Sequence, residues 1–156
     1  IDAGTGNDTI SIDNNTSDVI GVNFYGGGTI EGGDGNDTIS LSHNSSIVLD
    51  REIFRDILET ATIDGGTGND TISVMDNDEI YVEAEGTFEI LGGTGNDTVK
   101  LDLTGVTVDG FFNIDGGNDN DTLMLFNAVG WTDNGSTLTN GTNVISYMNF
   151  ENVVIV

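Results

Sequence analysis

One twelve-residue phrase returns five times along the chain: IDAGTGNDTISI from Ile1, IEGGDGNDTISL from Ile30, IDGGTGNDTISV from Ile63, ILGGTGNDTVKL from Ile90 and IDGGNDNDTLML from Ile114. The same aspartate recurs as Asp8, Asp37, Asp70, Asp97 and Asp121, at spacings of 29, 33, 27 and 24 residues. A repeat of this period is one supersecondary unit, too small to bury its own apolar face, and it becomes stable only by stacking on its neighbours. Within each phrase an isoleucine precedes the glycine pair by two residues: Ile1, Ile30, Ile63, Ile90 and Ile114. After the aspartate, apolar residues alternate with polar ones: Ile10 and Ile12, Ile39 and Leu41, Ile72 and Val74, Val99 and Leu101, Leu123 and Leu125. A period of two in β-branched residues is the pattern of a strand with one buried face.

Further short apolar runs lie between the phrases, at Val19–Val22, Ile47–Leu49, Ile80–Val82 and Val106–Val108, and Phe88 and Phe112 lead two of the runs that enter a glycine pair. The reading is an all-β parallel solenoid of five to six coils, each with two or three strands and one glycine-rich loop. With strands about 4.8 Å apart it makes a rod roughly 25 Å long. The asparagine column (Asn7, Asn36, Asn69, Asn96, Asn120) is expected to adopt left-handed backbone, which asparagine tolerates. Residues 1–156 read as a single domain, a segment of a larger repeat protein. DREIFRDILET (50–60) reads as a bulged loop insertion, with a longer strand connection as the alternative. Residues 141–156 read as a partial last coil or cap, in which Phe150-Glu151-Asn152 aligns with Phe88-Glu89-Ile90, the strand entering a glycine loop.

Charge narrows the partners. Twenty-seven acidic residues face 3 basic ones, a formal net charge of -24. That balance excludes nucleic acid, which needs lysine and arginine against phosphate, and it disfavours an anionic membrane surface. No apolar run is long enough for insertion into a membrane as a helix. The chain has no cysteine, so neither a disulfide framework nor a thiolate zinc site is available. Divalent cations are the natural counter-charge. The unit G-G-x-G-x-D suits calcium, which takes six to eight oxygens from carboxylates and carbonyls in tolerant geometry. Stacking brings the next turn within reach, so one ion fits between two loops. Five loops make about four such sites, and four ions would bring the charge to about -16.

These loops resemble the calcium-binding nonapeptide of RTX proteins, G-G-x-G-x-D-x-U-x with U large and apolar. Gly32–Ser40, Gly65–Ser73 and Gly92–Lys100 match every specified position; Ala3–Ser11 departs at its first glycine, and Gly116–Met124 has Asp119 where the third glycine belongs. The resemblance implies a right-handed parallel β-roll with Ca2+ between successive loops. It also implies export by a one-step secretion system, and a chain unfolded in the low-calcium cytoplasm that folds outside, so that the protein is extracellular or on the bacterial surface. Carried over residue by residue, the ligands are the side chains of Asp8, Asp37, Asp70, Asp97 and Asp121. Loop carbonyls complete them, from Ala3, Gly4, Thr5 and Gly6; Gly32, Gly33, Asp34 and Gly35; Gly65, Gly66, Thr67 and Gly68; Gly92, Gly93, Thr94 and Gly95; and Gly116, Gly117, Asn118 and Asp119. In the family the nonapeptides run in tandem. Here one occurs per coil, a pattern more similar to repeats of surface-layer proteins and giant adhesins.

The expected function is a structural, non-enzymatic module: a spacer, extracellular filament or surface-layer unit that stacks head to tail on identical subunits. His43 is the only histidine and reads as a solvated turn residue; only Arg51, Arg55 and Lys100 are available as catalytic cations. Two alternatives stand. One is an adhesive module for ice or glycan, against which the broken column Thr5, Asp34, Thr67, Thr94, Asn118 argues. The other is the secretion and folding tail of an extracellular enzyme. Trp131, Phe126 and Tyr147 read as a seal on the last coil, with a sugar platform as the alternative.

Overall fold

A computed structural model of the chain describes residues 1–13, 22–23, 28–49 and 60–156. The period-two runs become strands, and each glycine loop turns the chain onto the next face. The first coil holds β1 (Thr9–Asp13), β2 (Val22–Asn23) and β3 (Gly28–Asp34), and the second β4 (Thr38–Ser42), β5 (Ile47–Leu49) and β6 (Thr60–Thr67). The third holds β7 (Thr71–Met75), β8 (Ile80–Val82) and β9 (Thr87–Thr94), and the fourth β10 (Thr98–Asp102), β11 (Val106–Val108) and β12 (Phe111–Asp115). The chain continues through β13 (Thr122–Phe126), β14 (Thr132–Asp133), β15 (Thr137–Asn140), β16 (Asn143–Met148) and β17 (Asn152–Ile155).

Three sheets result. The first, leaving the glycine loops, is β1-β4-β7-β10-β13-β17; the second is β2-β5-β8-β11; the third, entering the loops, is β3-β6-β9-β12-β16-β15-β14. All pairings are parallel except β14 with β15 and β15 with β16. Among the described residues there is no helix, so none is long and apolar enough to cross a membrane.

Register follows the repeat. Thr9, Thr38, Thr71, Thr98 and Thr122 stack as one outward column. Ile30, Ile63, Ile90 and Ile114 stack as an inward one that ends on Tyr147. A one-residue slip would turn every apolar residue outward, which is why the pattern holds the register. The inward columns make one continuous core, including Ile39, Leu41, Val74, Leu101, Leu125 and Ile145. Another column runs Gly28, Ala61, Phe88, Phe112, so the core fills with larger side chains toward the C-terminal coils. There the Phe88 and Phe112 rings meet at 4.9 Å between centroids. At the inner turn after the first sheet, Asn77 Oδ1 accepts from the backbone N–H and side-chain amide of Asn44, both at 3.1 Å, and its own amide donates to the Leu41 carbonyl at 3.0 Å.

Several expectations are corrected. Among the described residues the solenoid has four three-strand coils, about four turns rather than five to six. After β13 no strand joins the second sheet; β14 and β15 instead fold back as an antiparallel hairpin, and β15 takes the free edge of β16. The terminal phrase also has a different phase. Asn152 pairs with Thr122, so Phe150-Glu151-Asn152 leaves a loop, and Phe88 finds its counterpart in Ile145 by way of Phe112. His43 is exposed but not merely solvated: its Nδ1 lies 3.0 Å from Asp13 Oδ1. Trp131 and Tyr147 pack on the core of the last coil, whereas Phe126 follows inward Leu125 and points to the other face. Residues 50–59, most of the expected insertion, lie outside the described residues, as do Val19–Gly21 of the first expected inter-phrase strand.

Candidate metal centre

The glycine loops stack into one edge of the solenoid, and the third glycine of each takes backbone that side chains avoid. Gly68 has φ 125°, and a Cβ there would lie 1.6 Å from the carbonyl oxygen of Gly35 in the preceding coil. Only glycine permits that approach. The loops are then clipped edge to edge: Gly6, Gly35 and Gly68 N–H donate to the carbonyls of Asp34, Thr67 and Thr94 at 2.7–2.8 Å. In the fifth loop Asp119 adopts φ 85°. Its Cβ cannot enter the gap that glycine leaves, and β12 stops at Asp115, whereas β3, β6 and β9 run on to Asp34, Thr67 and Thr94.

The five repeated aspartates form a ladder. The N–H of Asp8, Asp37, Asp70 and Asp97 donates to Oδ1 of the aspartate one coil on, at 2.7 Å in every case. Oδ2 is left over. In all five aspartates it is buried and has no hydrogen-bond partner. Asp37, Asp70, Asp97 and Asp121 are at most 3% exposed. An unpartnered buried carboxylate oxygen is costly, so five in one row call for a positive group. Burial is the largest effect on Asp97, whose carboxyl it pushes up to about 6 against the opposing backbone hydrogen bond from Asp70, with the Asp70 and Asp121 carboxylates adding to the rise. Burial likewise raises Asp70 and Asp121.

A second oxygen converges on each of three Oδ2 atoms. A Cβ on Gly32 would lie 2.6 Å from the Gly65 carbonyl oxygen and 2.7 Å from Asp37 Oδ2; on Gly65, 2.5 Å from Gly92 O and 2.8 Å from Asp70 Oδ2; on Gly92, 2.3 Å from Gly116 O and 2.8 Å from Asp97 Oδ2. A carbonyl and a carboxylate thus face one cradle that any side chain on the first glycine would fill. Two such oxygens repel unless a cation lies between them, and hard oxygen donors of this kind suit calcium. Among the described residues no three carboxylate or histidine side chains cluster to hold a metal by themselves, so backbone oxygens must supply the rest of any shell. In the first coil Ala3 puts a methyl where the other loops have a bare Cα. Of the expected carbonyls, those of Gly4, Asp34, Thr67, Gly93 and Thr94 already accept loop-to-loop hydrogen bonds.

The asparagine column does something other than expected. Its members are absent from the positive-φ residues, which in these loops are glycines and Asp119. Their Oδ1 atoms instead accept the N–H of the asparagine one coil on, from Asn7 through Asn96 to Asn120, at 2.8–3.1 Å. Two further residues escaped the motif. Glu151 Oε2 accepts the Asp121 N–H at 2.7 Å, taking the place of a sixth aspartate, and the Asn149 carbonyl faces Gly116. Only their register with the fifth loop reveals them.

No curated protein and no solved structure matches the chain. A family model described as the RTX calcium-binding nonapeptide repeat matches in four copies, over residues 24–42, 61–83 and 89–101. These segments carry the loops of Asp37, Asp70 and Asp97, the three with the complete glycine cradle. The chain therefore carries RTX calcium-binding nonapeptide repeats in a β-solenoid, and the ion these repeats bind is Ca2+.

Proposed function

We propose that the chain is a calcium-stapled spacer of a secreted or cell-surface bacterial protein, which folds when it meets calcium outside the cell. The observation that carries this reading is the row of five aspartates whose Oδ2 atoms are buried and unpartnered along one edge. Asp8, Asp37, Asp70, Asp97 and Asp121 supply the side-chain ligands, and the carbonyls of Gly65, Gly92 and Gly116 are the best placed of the loop oxygens. Each ion joins a carboxylate of one coil to a carbonyl of the next, so binding is also folding. Without ions, a net charge of -24 opposes compaction.

A spacer is favoured over a filament of head-to-tail copies. Stacking a second copy in register needs the free edge of β16, which β15 covers. It is favoured over an ice- or glycan-binding face as well. The outward threonine column is regular, but the column beside it changes from Ser11, Ser40 and Ser73 to Lys100 and Met124.

Small-angle scattering tests the reading. In chelator the chain should have a radius of gyration of about 40 Å, and in millimolar calcium one approaching about 15 Å, as for a compact chain of this length. A monomer that is equally compact in both conditions would refute calcium-dependent folding, and a length that grows with protein concentration in calcium would favour the filament.

A further inference from the structure

The fifth glycine loop does not face another glycine loop. Its neighbour is the turn Met148–Glu151, which contains no glycine and lies outside the segments matched to the repeat family. Yet the turn reproduces the contacts that a following loop would make. Gly116 N–H donates to the Met148 carbonyl at 3.0 Å. A Cβ on Gly116 would lie 2.1 Å from the Asn149 carbonyl oxygen and 2.8 Å from Asp121 Cβ, so a carbonyl of the next coil closes on this glycine as at Gly32, Gly65 and Gly92, with Asp121 beside it through its Cβ where the other three meet Oδ2. The Asp121 N–H goes to Glu151 Oε2, as the other ladder N–H groups go to the next aspartate. Asn149 has φ 56° and its side-chain amide donates to Asp115 Oδ1 at 2.8 Å, which ties the turn down. Asp121 is wholly buried, and its Oδ2 has no partner.

We propose that Asp121 and the Asn149–Glu151 turn form an additional Ca2+ site at the C-terminal end of the row, one that no glycine motif marks. The inference rests on the reading of the glycine loops as calcium sites. Asp121 Oδ2 and the Asn149 carbonyl are its ligands from either side. Glu151 is a positioning residue: it takes the Asp121 N–H, so that the last rung of the ladder is held as the others are, and it adds negative charge at the rim. Because Glu151 is exposed, this site has less cover than the inner ones and fills last.

The test is the number of Ca2+ ions retained by the full chain, counted by native mass spectrometry and by equilibrium dialysis, for the wild type, Asp97→Asn, Asp121→Asn and Glu151→Gln. Each aspartate variant should lose one ion. Glu151→Gln keeps a hydrogen-bond acceptor but not the charge, and should weaken the last ion about tenfold while leaving the others unchanged. If Asp97→Asn loses an ion and Asp121→Asn loses none, the terminal site is refuted and the glycine-loop sites stand. A wild type that retains no calcium refutes both. Should Asp121→Asn fail to fold in saturating calcium, Glu151→Gln decides: an unchanged affinity for every ion overturns the proposal.

Discussion

At the scale of the residue, the ladder aspartates divide their two oxygens between two tasks. In Asp37, Asp70, Asp97 and Asp121, Oδ1 accepts a backbone N–H and fixes the stacking, while Oδ2 is left without a hydrogen-bond partner, open to the proposed ion. The division gives the calcium-free chain an inverted pH dependence. Asp97 has a folded pKa of about 6 against an ordinary 3.8, so between these values the folded state holds a proton that the unfolded state has released. Stability of the calcium-free fold relative to the disordered chain therefore falls as pH rises through that window, and acidification from pH 7 to pH 5 should shift the chelated chain toward β structure. Protons and calcium compete for the same oxygen, so calcium affinity should drop several-fold over the same acidification. Asp97→Asn retains an acceptor for the Asp70 N–H but removes the charge. It should raise the β content of the chelated chain and shrink the gain on adding calcium. Circular dichroism with and without chelator, at pH 7 and pH 5, reads both. The first glycine makes the complementary case. Gly65→Ala would put a methyl 2.5 Å from Gly92 O and 2.8 Å from Asp70 Oδ2, and should cost one ion. Ala3→Gly should strengthen binding at Asp8. Calcium dialysis on the two variants checks the pair.

At the scale of the element, legibility depended on what fixes the phase. β5, β8 and β11 coincide with the apolar runs Ile47–Leu49, Ile80–Val82 and Val106–Val108, because alternation flanked by turn residues leaves one arrangement that buries them. The C-terminal strands were misphased. Alternation alone allows a strand to belong to either side of a loop, and only a glycine pair tells which. Phe150-Glu151 repeats two letters of Phe88-Glu89 by chance, without the glycines that follow Ile90. The hairpin of β14 and β15 was equally hidden, since its pairing depends on the edge that β16 leaves open. In the asparagine column, a local preference for left-handed backbone lost to inter-coil hydrogen bonding, which becomes visible only once coils are stacked. Asp119 marks the one element the repeat fails to complete. Asp119→Gly should let the third sheet extend into the fifth loop as β6 does to Thr67, stabilising the folded chain by about 1 kcal/mol and raising the melting temperature by about 2–4 °C. Thermal unfolding in saturating calcium reads that change.

At the scale of the whole molecule, two interactions hold the coils together, and they sit in different places. The apolar columns close the interior, while the aspartate row lines one edge and leaves buried oxygens facing one another. Fold class, loop stacking and the row of repeated aspartates were legible because the repeat imposes them at every level. The coil count was not, because the chain ends its regular stacking with a hairpin that has no repeat signature. The account's central claim is that the row of carboxylates makes folding conditional on calcium. The most direct measurement is far-ultraviolet circular dichroism of chelated protein titrated with calcium, with magnesium as the control. The prediction is a disordered spectrum in chelator and a cooperative change to β structure in millimolar calcium. Magnesium should not reproduce it, because it demands tighter octahedral geometry and sheds water reluctantly. A chain that is already β-rich in chelator and unmoved by calcium would contradict the account, and would leave the apolar core as the sole basis of the fold.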